Sequence, residues 1–229
     1  MRFIDEFGMH LRLRVRVPAP RASAIGRLVE TRIRMFLGAV VKDTAAPFAG
    51  HLGLSRSLYA PEVLKYGGYA GTQHAEKLFQ LSSETALTLM PYAVSRRLQL
   101  ARTHLEALTA SLPTSQRVSF LHQYAWYWSH GPHGRTPGYA ARLDTLLRAQ
   151  PDTRIAHLDA VHVALDTYAR QCRALIDQAT AARLRTSRTY LLFQHIHLMH
   201  NRLGVTPLEE ALTARALWHA TYDPKKDSQ

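Results

Sequence analysis

With 229 residues, 46% of them hydrophobic and 20% charged, the chain is long enough for one buried core and has the balance of a globular protein, not a disordered one. No apolar run reaches the ~18–20 residues that cross a bilayer, and the opening MRFIDEFG has neither a basic leader nor an apolar h-region, which argues against a membrane protein and for the cytoplasm. Lys and Arg number 29 against 17 Asp and Glu, a formal charge of +12, so an anionic partner is expected, and an acidic peptide or small anion fits better than nucleic acid because the basic residues are spread along the chain without a nucleic-acid-binding motif.

Residues 9–17, MHLRLRVRV, alternate strictly between apolar residues and His10, Arg12, Arg14 and Arg16, the period of a half-buried strand. Pro18 and Pro20 end it, and Ile25, Leu28, Val29, Ile33 and Phe36 then recur at helical spacing over 21–37. Two short extended segments are predicted around 39–41 and 51–58. After the Gly67-Gly68 turn the pattern is helical over 72–110, 114–129, 137–149, 153–180, 184–203 and 206–221. Pro113, the HGPHGRTPG stretch, Pro151 and Gly204–Pro207 fall between these runs. The expected fold class is α+β: a small antiparallel sheet from the N-terminal part packed against a mainly helical C-terminal layer. Residues 1–222 are read as a single catalytic domain and 223–229 as a polar tail.

Three segments carry the polar chemistry. Arg12 and Arg14, with His10, lie on one side of the alternating segment, where guanidinium forks suit carboxylates and peptide carbonyls; a solvated strand face is the bland alternative. In PEVLKYGG, Glu62 and Lys65 precede a double glycine and either bind substrate or pair with each other. In HLMHNR, His197, His200 and Asn201 share a helix face, and a proton carrier competes there with a packed histidine. Cys172, the single cysteine, has no disulfide partner within the chain, no zinc pattern is present, and Walker, GxGxxG, GxSxG and kinase motifs are missing. The aromatic run HQYAWYWSH at 122–130 is read as helix core.

In this order and spacing, HLRLRV, YAPEVLKYGG with the following HAEKLF, and HLMHNRLG resemble the elimination domain of class I lanthipeptide dehydratases and the stand-alone thiopeptide-type bacteriocin biosynthesis enzymes related to it. The resemblance runs from about residue 3 to residue 215. Two positions depart from the family pattern: Lys65 stands where arginine is common, and Ser82-Ser83 where an aspartate commonly precedes serine. By resemblance, Arg12, Arg14, Lys65 and His197 match positions associated with binding the glutamyl group and moving protons. Taken with the three segments, the expected catalytic residues are His197, Tyr66, Arg12 and Arg14 and the expected substrate-binding ones His10, Glu62, Lys65, His200, Asn201 and Arg202, with no cofactor and no metal. The resemblance also implies a modified ribosomal precursor peptide with an acidic leader as partner, alongside upstream dehydratase components; from the composition and motifs above, neither nucleic acid nor membrane is expected. Because the separate glutamylation module is not in this sequence, a complete dehydratase is not expected. Lys65 tilts the expectation to a pyridine synthase, or macrocyclase, that joins two dehydroalanines by formal [4+2] aza-cycloaddition with loss of water and leader. The alternatives are a lyase that eliminates glutamate from glutamylated Ser/Thr and a non-catalytic leader-binding scaffold.

Overall fold

The computed structural model describes residues 2–5, 8–43, 53–57, 59–149, 159–182 and 185–222, with the backbone alone described for 2–11, 40–43 and 132–133. Two strands, β1 (Arg2–Asp5) and β2 (Gly8–Leu11), pair as a short ribbon. Among the described residues seven α-helices follow: α1 (Ala22–Asp43), α2 (Tyr69–Thr109), α3 (Thr114–His130), α4 (Tyr139–Ala149), α5 (Asp159–Ala181), α6 (Arg188–Leu203) and α7 (Pro207–Thr221). The chain divides into two packed units, residues 11–61 and residues 1–10 with 62–229.

The fold is helical, and the α+β expectation is overturned: among the described residues the strands amount to the short β1–β2 ribbon, and the other regular elements are helices. Strand pairing stops at Leu11, and residues 12–18 adopt no regular element although the alternation continues through them. Alternation makes an extended segment possible, but a sheet also needs further strands to pair with. The candidate at 39–41 continues α1, because the helical row Ile25, Val29, Ile33, Leu37 carries on into it. Of the candidate at 51–58, residues 53–57 are irregular and 51, 52 and 58 lie outside the described residues. Leu13 and Val15 accordingly remain 67% and 51% exposed. Within the 11–61 unit, Glu30 on α1 bonds Arg34 one turn on and Arg56 at 2.6 Å, and the Arg14 guanidinium lies 4.8 Å from the centre of the Tyr59 ring.

The larger unit is a helical bundle around α2. That helix begins where Gly67 and Gly68 take φ of 78° and 113°, angles that favour glycine, and Thr72 bonds back to the Gly68 carbonyl through its amide and its hydroxyl. Its inner face repeats small and apolar residues at helical spacing, among them Ala75, Leu78, Ser82, Ala86, Leu89 and Ala93, all buried. Pro91 lies within it, and Arg96 departs from helical angles at φ −133°, ψ 26°. Helices α5, α6 and α7 pack on α2, while α3 and α4 pack on α7. Among the described residues no helix is long and apolar enough to cross a membrane.

His195, on α6, is fully enclosed between the rings of Tyr66 (6.1 Å) and Phe79 (6.0 Å), and neither ring nitrogen has a hydrogen-bond partner. Burial first, then the charges of Arg202 and Lys65, hold its pKa down at about 3. A histidine with a folded pKa below its unfolded value near 6.5 supports stability above pH 6.5, and that support is lost as pH falls towards 3, at roughly 1.4 kcal/mol per pH unit. Thermal unfolding should therefore show Tm declining steadily from pH 6.5 to 5. His195→Phe should flatten that decline while leaving Tm at pH 8 equal or higher, since it removes two unpaired buried nitrogens.

Candidate active site

The site is built by the turn between α6 and α7. Ser187 caps α6 through the Tyr190 amide, and Gly204 ends the helix in the left-handed conformation at φ 84°, so that the Val205 amide returns to the His200 carbonyl at 2.9 Å. Thr206 and Glu209 then form a capping box and Pro207 occupies the first turn of α7. Glu209 is further held by Arg97 of α2 at 2.7 Å. This reversal turns the face of α6 that carries His197 and His200 towards Glu210, one residue beyond the box.

Glu210 is wholly buried and is the hub of the site. His197 Nδ1 lies 2.8 Å from its Oε1, His200 Nδ1 lies 3.2 Å from its Oε2, and the Tyr124 hydroxyl of α3 donates to Oε2 as well. Burial pushes the Glu210 carboxyl up, but the hydrogen bonds from His197 and His200 outweigh it and leave its pKa below the ordinary carboxylate value. Its position in the first turn of α7 adds the favourable end of the helix dipole. Burial and then Glu210 push the Tyr124 phenol well above its ordinary value, so it serves as a neutral donor.

A carboxylate only accepts, so His197 must present an N–H at Nδ1, and in the neutral ring Nε2 is then the lone-pair nitrogen. The His197 ring stacks on Trp128 at 4.6 Å and 30° and keeps 29% of its side-chain surface exposed. Trp128, itself stacked on Phe193, fixes the plane of that ring. The result is a half-buried imidazole oriented by a buried carboxylate, an arrangement suited to accepting and returning a proton.

The structure brings together only some of the residues singled out from the sequence. His197 and His200 meet on Glu210, but His200 is fully buried, as is Tyr66, whose ring packs edge-on against Phe79 at 5.5 Å. Lys65 pairs with Glu62 at 3.4 Å and lies 5.6 Å from the centre of the Tyr66 ring. Tyr190 of α6 feels the charge of Glu62, which places the glycine turn beside the start of that helix. Arg202 donates to the Ser83 hydroxyl at 3.1 Å and to the Leu198 carbonyl at 3.0 Å, while Asn201 is half-buried near the helix end. Arg12 and Arg14 are exposed members of the 11–61 unit, and the His10 side chain lies outside the described residues. Among the described residues no group of three or more His, Cys, Asp or Glu is placed to hold a metal ion.

Sequence reasoning missed Glu210, Tyr124 and Trp128. For Glu210 a signal existed: Glu209 closes the T-x-x-E capping box, which leaves Glu210 in register with Thr213, Ala214 and Leu217 on the buried stripe of α7. A carboxylate on such a stripe requires partners. Tyr124 and Trp128 were legible as core, and their contact with the site follows from the packing of α3 on α7.

Residues 1–222 match the family model described as "Lantibiotic biosynthesis dehydratase C-term", and the chain belongs to that family. The family is associated with dehydratase and elimination chemistry on ribosomally made peptides, so the chain takes part in peptide modification for antibiotic biosynthesis. Comparison with curated proteins and with solved structures returned no significant match.

Proposed function

We propose that the chain is a thiopeptide pyridine synthase, joining two dehydroalanines of a modified precursor peptide by formal [4+2] aza-cycloaddition and then releasing water and the leader peptide. The observation that carries this reading is the state of the glycine turn. Lys65 offers a point charge already paired with Glu62, whereas grip on a departing glutamate is best served by the planar, bidentate fork of an arginine. What remains well formed is the proton carrier. Cyclisation needs one repeatedly: an amide must pass to its imidic tautomer, a hydroxyl must leave as water, and the ring must lose a proton as it becomes aromatic. His197 Nε2 is the group oriented for these transfers, with Glu210 behind it.

Binding the folded peptide with both alkenes in contact supplies most of the remaining acceleration. In this reading the +12 charge, to which the exposed Arg12 and Arg14 contribute, attracts an acidic leader. Every step is a proton transfer or bond rearrangement without net redox change, so the reading calls for no cofactor.

A second reading, a lyase that eliminates glutamate from glutamylated Ser/Thr, draws on the same dyad, since a carboxylate-oriented imidazole also suits removal of an α-proton. Mass measurement separates the two. With a dehydroalanine-containing precursor, the synthase should produce a smaller macrocycle and free leader. Loss of glutamate from a glutamylated precursor with the leader still attached would favour the lyase, and binding of both peptides with no mass change would reduce the chain to a scaffold.

A further inference from the structure

His200 is fully buried, and its surroundings ask for more protons than a neutral imidazole has. Its Nδ1 is 3.2 Å from Glu210 Oε2 and its Nε2 is 3.2 Å from the Ala101 carbonyl of α2. Both partners are acceptors, because a backbone carbonyl has no proton to give and the Glu210 carboxylate already receives His197 and Tyr124. A neutral ring can satisfy one of these two contacts, and a doubly protonated ring satisfies both. We propose that His200 is a positioning residue, a buried imidazolium clamped between Glu210 and Ala101, whose charge balances the carboxylate and thereby keeps the neighbouring His197 free to take up a proton.

The groups packed around His200 support this state. His104 of α2 meets it edge-on at 5.2 Å, has no hydrogen-bond partner at either nitrogen, and is held neutral by burial and by the charge of His200. Tyr168 of α5 lies behind His104 at 5.3 Å and is kept protonated by its own burial. Tyr124 of α3 faces His200 edge-on at 6.4 Å, and Tyr139 of α4, in reach of Glu210, has its phenol raised to about 12 by burial and then by that carboxylate. Arg202 lies on the same helix, bonded to Ser83 and Leu198. Glu210 is thus the counter-charge to His200, and the pair is electrically balanced before His197 takes a proton. Without the charge on His200, the full pull of Glu210 would fall on His197 and hold a proton on it.

The inference rests on His197 as the proton carrier, but its test needs no substrate. In the whole chain labelled with 15N, two-bond correlations between ring protons and nitrogens should show both nitrogens of His200 in the imidazolium form from pH 6 to 8, and His104 neutral throughout. In His200→Asn, which keeps an amide able to donate to Glu210 but lacks the charge, the titration of His197 should move to higher pH by about one unit. The acid limb of turnover should move with it. A His200 with one unprotonated nitrogen in the unaltered protein would overturn the assignment whatever the variant does, as would a His197 titration that stays in place or moves to lower pH. Failure of the cyclisation assay would leave the nitrogen signals unchanged, so the two readings fail separately.

Discussion

Replacing Glu210 with alanine is expected to destabilise the protein by about 3–5 kcal/mol, the largest effect of any single change in the site. Three donors on three side chains converge on that carboxylate, and two of them, from His200 and Tyr124, are buried with no route to water. The variant leaves a buried imidazole and a buried phenol unsatisfied and opens a cavity at the start of α7. Glu210→Gln keeps the volume, yet its amide offers one acceptor where the cluster needs several, and a loss of about 1–3 kcal/mol is expected. Urea unfolding at pH 7 checks both. The pH dependence has a definite sign: because the folded carboxyl lies below its unfolded value of 4.5, its contribution is complete above pH 4.5 and disappears as pH falls through the folded value. The Glu210→Gln variant should lose the part of acid unfolding that occurs in that lower window. A Glu210→Ala protein as stable as the original would mean that the convergence of donors does not exist in solution.

The second large effect concerns turnover. His197→Ala should reduce turnover by about 10²- to 10⁴-fold, the usual contribution of a positioned general acid or base. Stability should change far less than for Glu210, since the ring is partly exposed and its loss uncovers only one face of Trp128. Peptide affinity measured alongside should remain close to that of the unaltered chain, because a proton carrier acts in the transition state more than in binding. Turnover within threefold of the original would remove His197 from the chemistry and leave it as a packed surface histidine.

The helices were legible because each inner face repeats at helical spacing and its ends carry recognisable stops. Pro113 before α3, the Gly204 cap and the TPLE box place three boundaries within a residue or two of the expected ones. The sheet was misread for the opposite reason. MHLRLRVRV has the right period for a strand, but among the described residues its pairing is limited to the short ribbon with β1 and ends at Leu11, and a two-residue period by itself does not reveal how much lies across from it. Of the site, His197 was legible because short titratable runs on a helix face are visible in one dimension. The Glu62–Lys65 contact was equally local, and its pairing was one of the two outcomes the spacing allowed. Glu210 is hidden by its neighbour: beside Glu209 of the capping motif, a second glutamate has the pattern of ordinary first-turn acidity. Tyr124 and the Ala101 carbonyl reach the cluster from sequence separations of 86 and 99 residues, and only the packing of α3 and α2 reveals them.

Those separations differ sharply from the 13 residues between His197 and Glu210. A loop that short closes with little loss of chain entropy, so during folding the tip where α6 turns into α7 can bring imidazole and carboxylate together before the rest of the bundle arrives. The contacts that exclude water come from α2 and α3 across far larger separations and close at a greater cost in chain entropy. The centre is therefore a local hairpin matured by distant walls: damage to those walls weakens the enclosure of the dyad and leaves its connection along the chain intact.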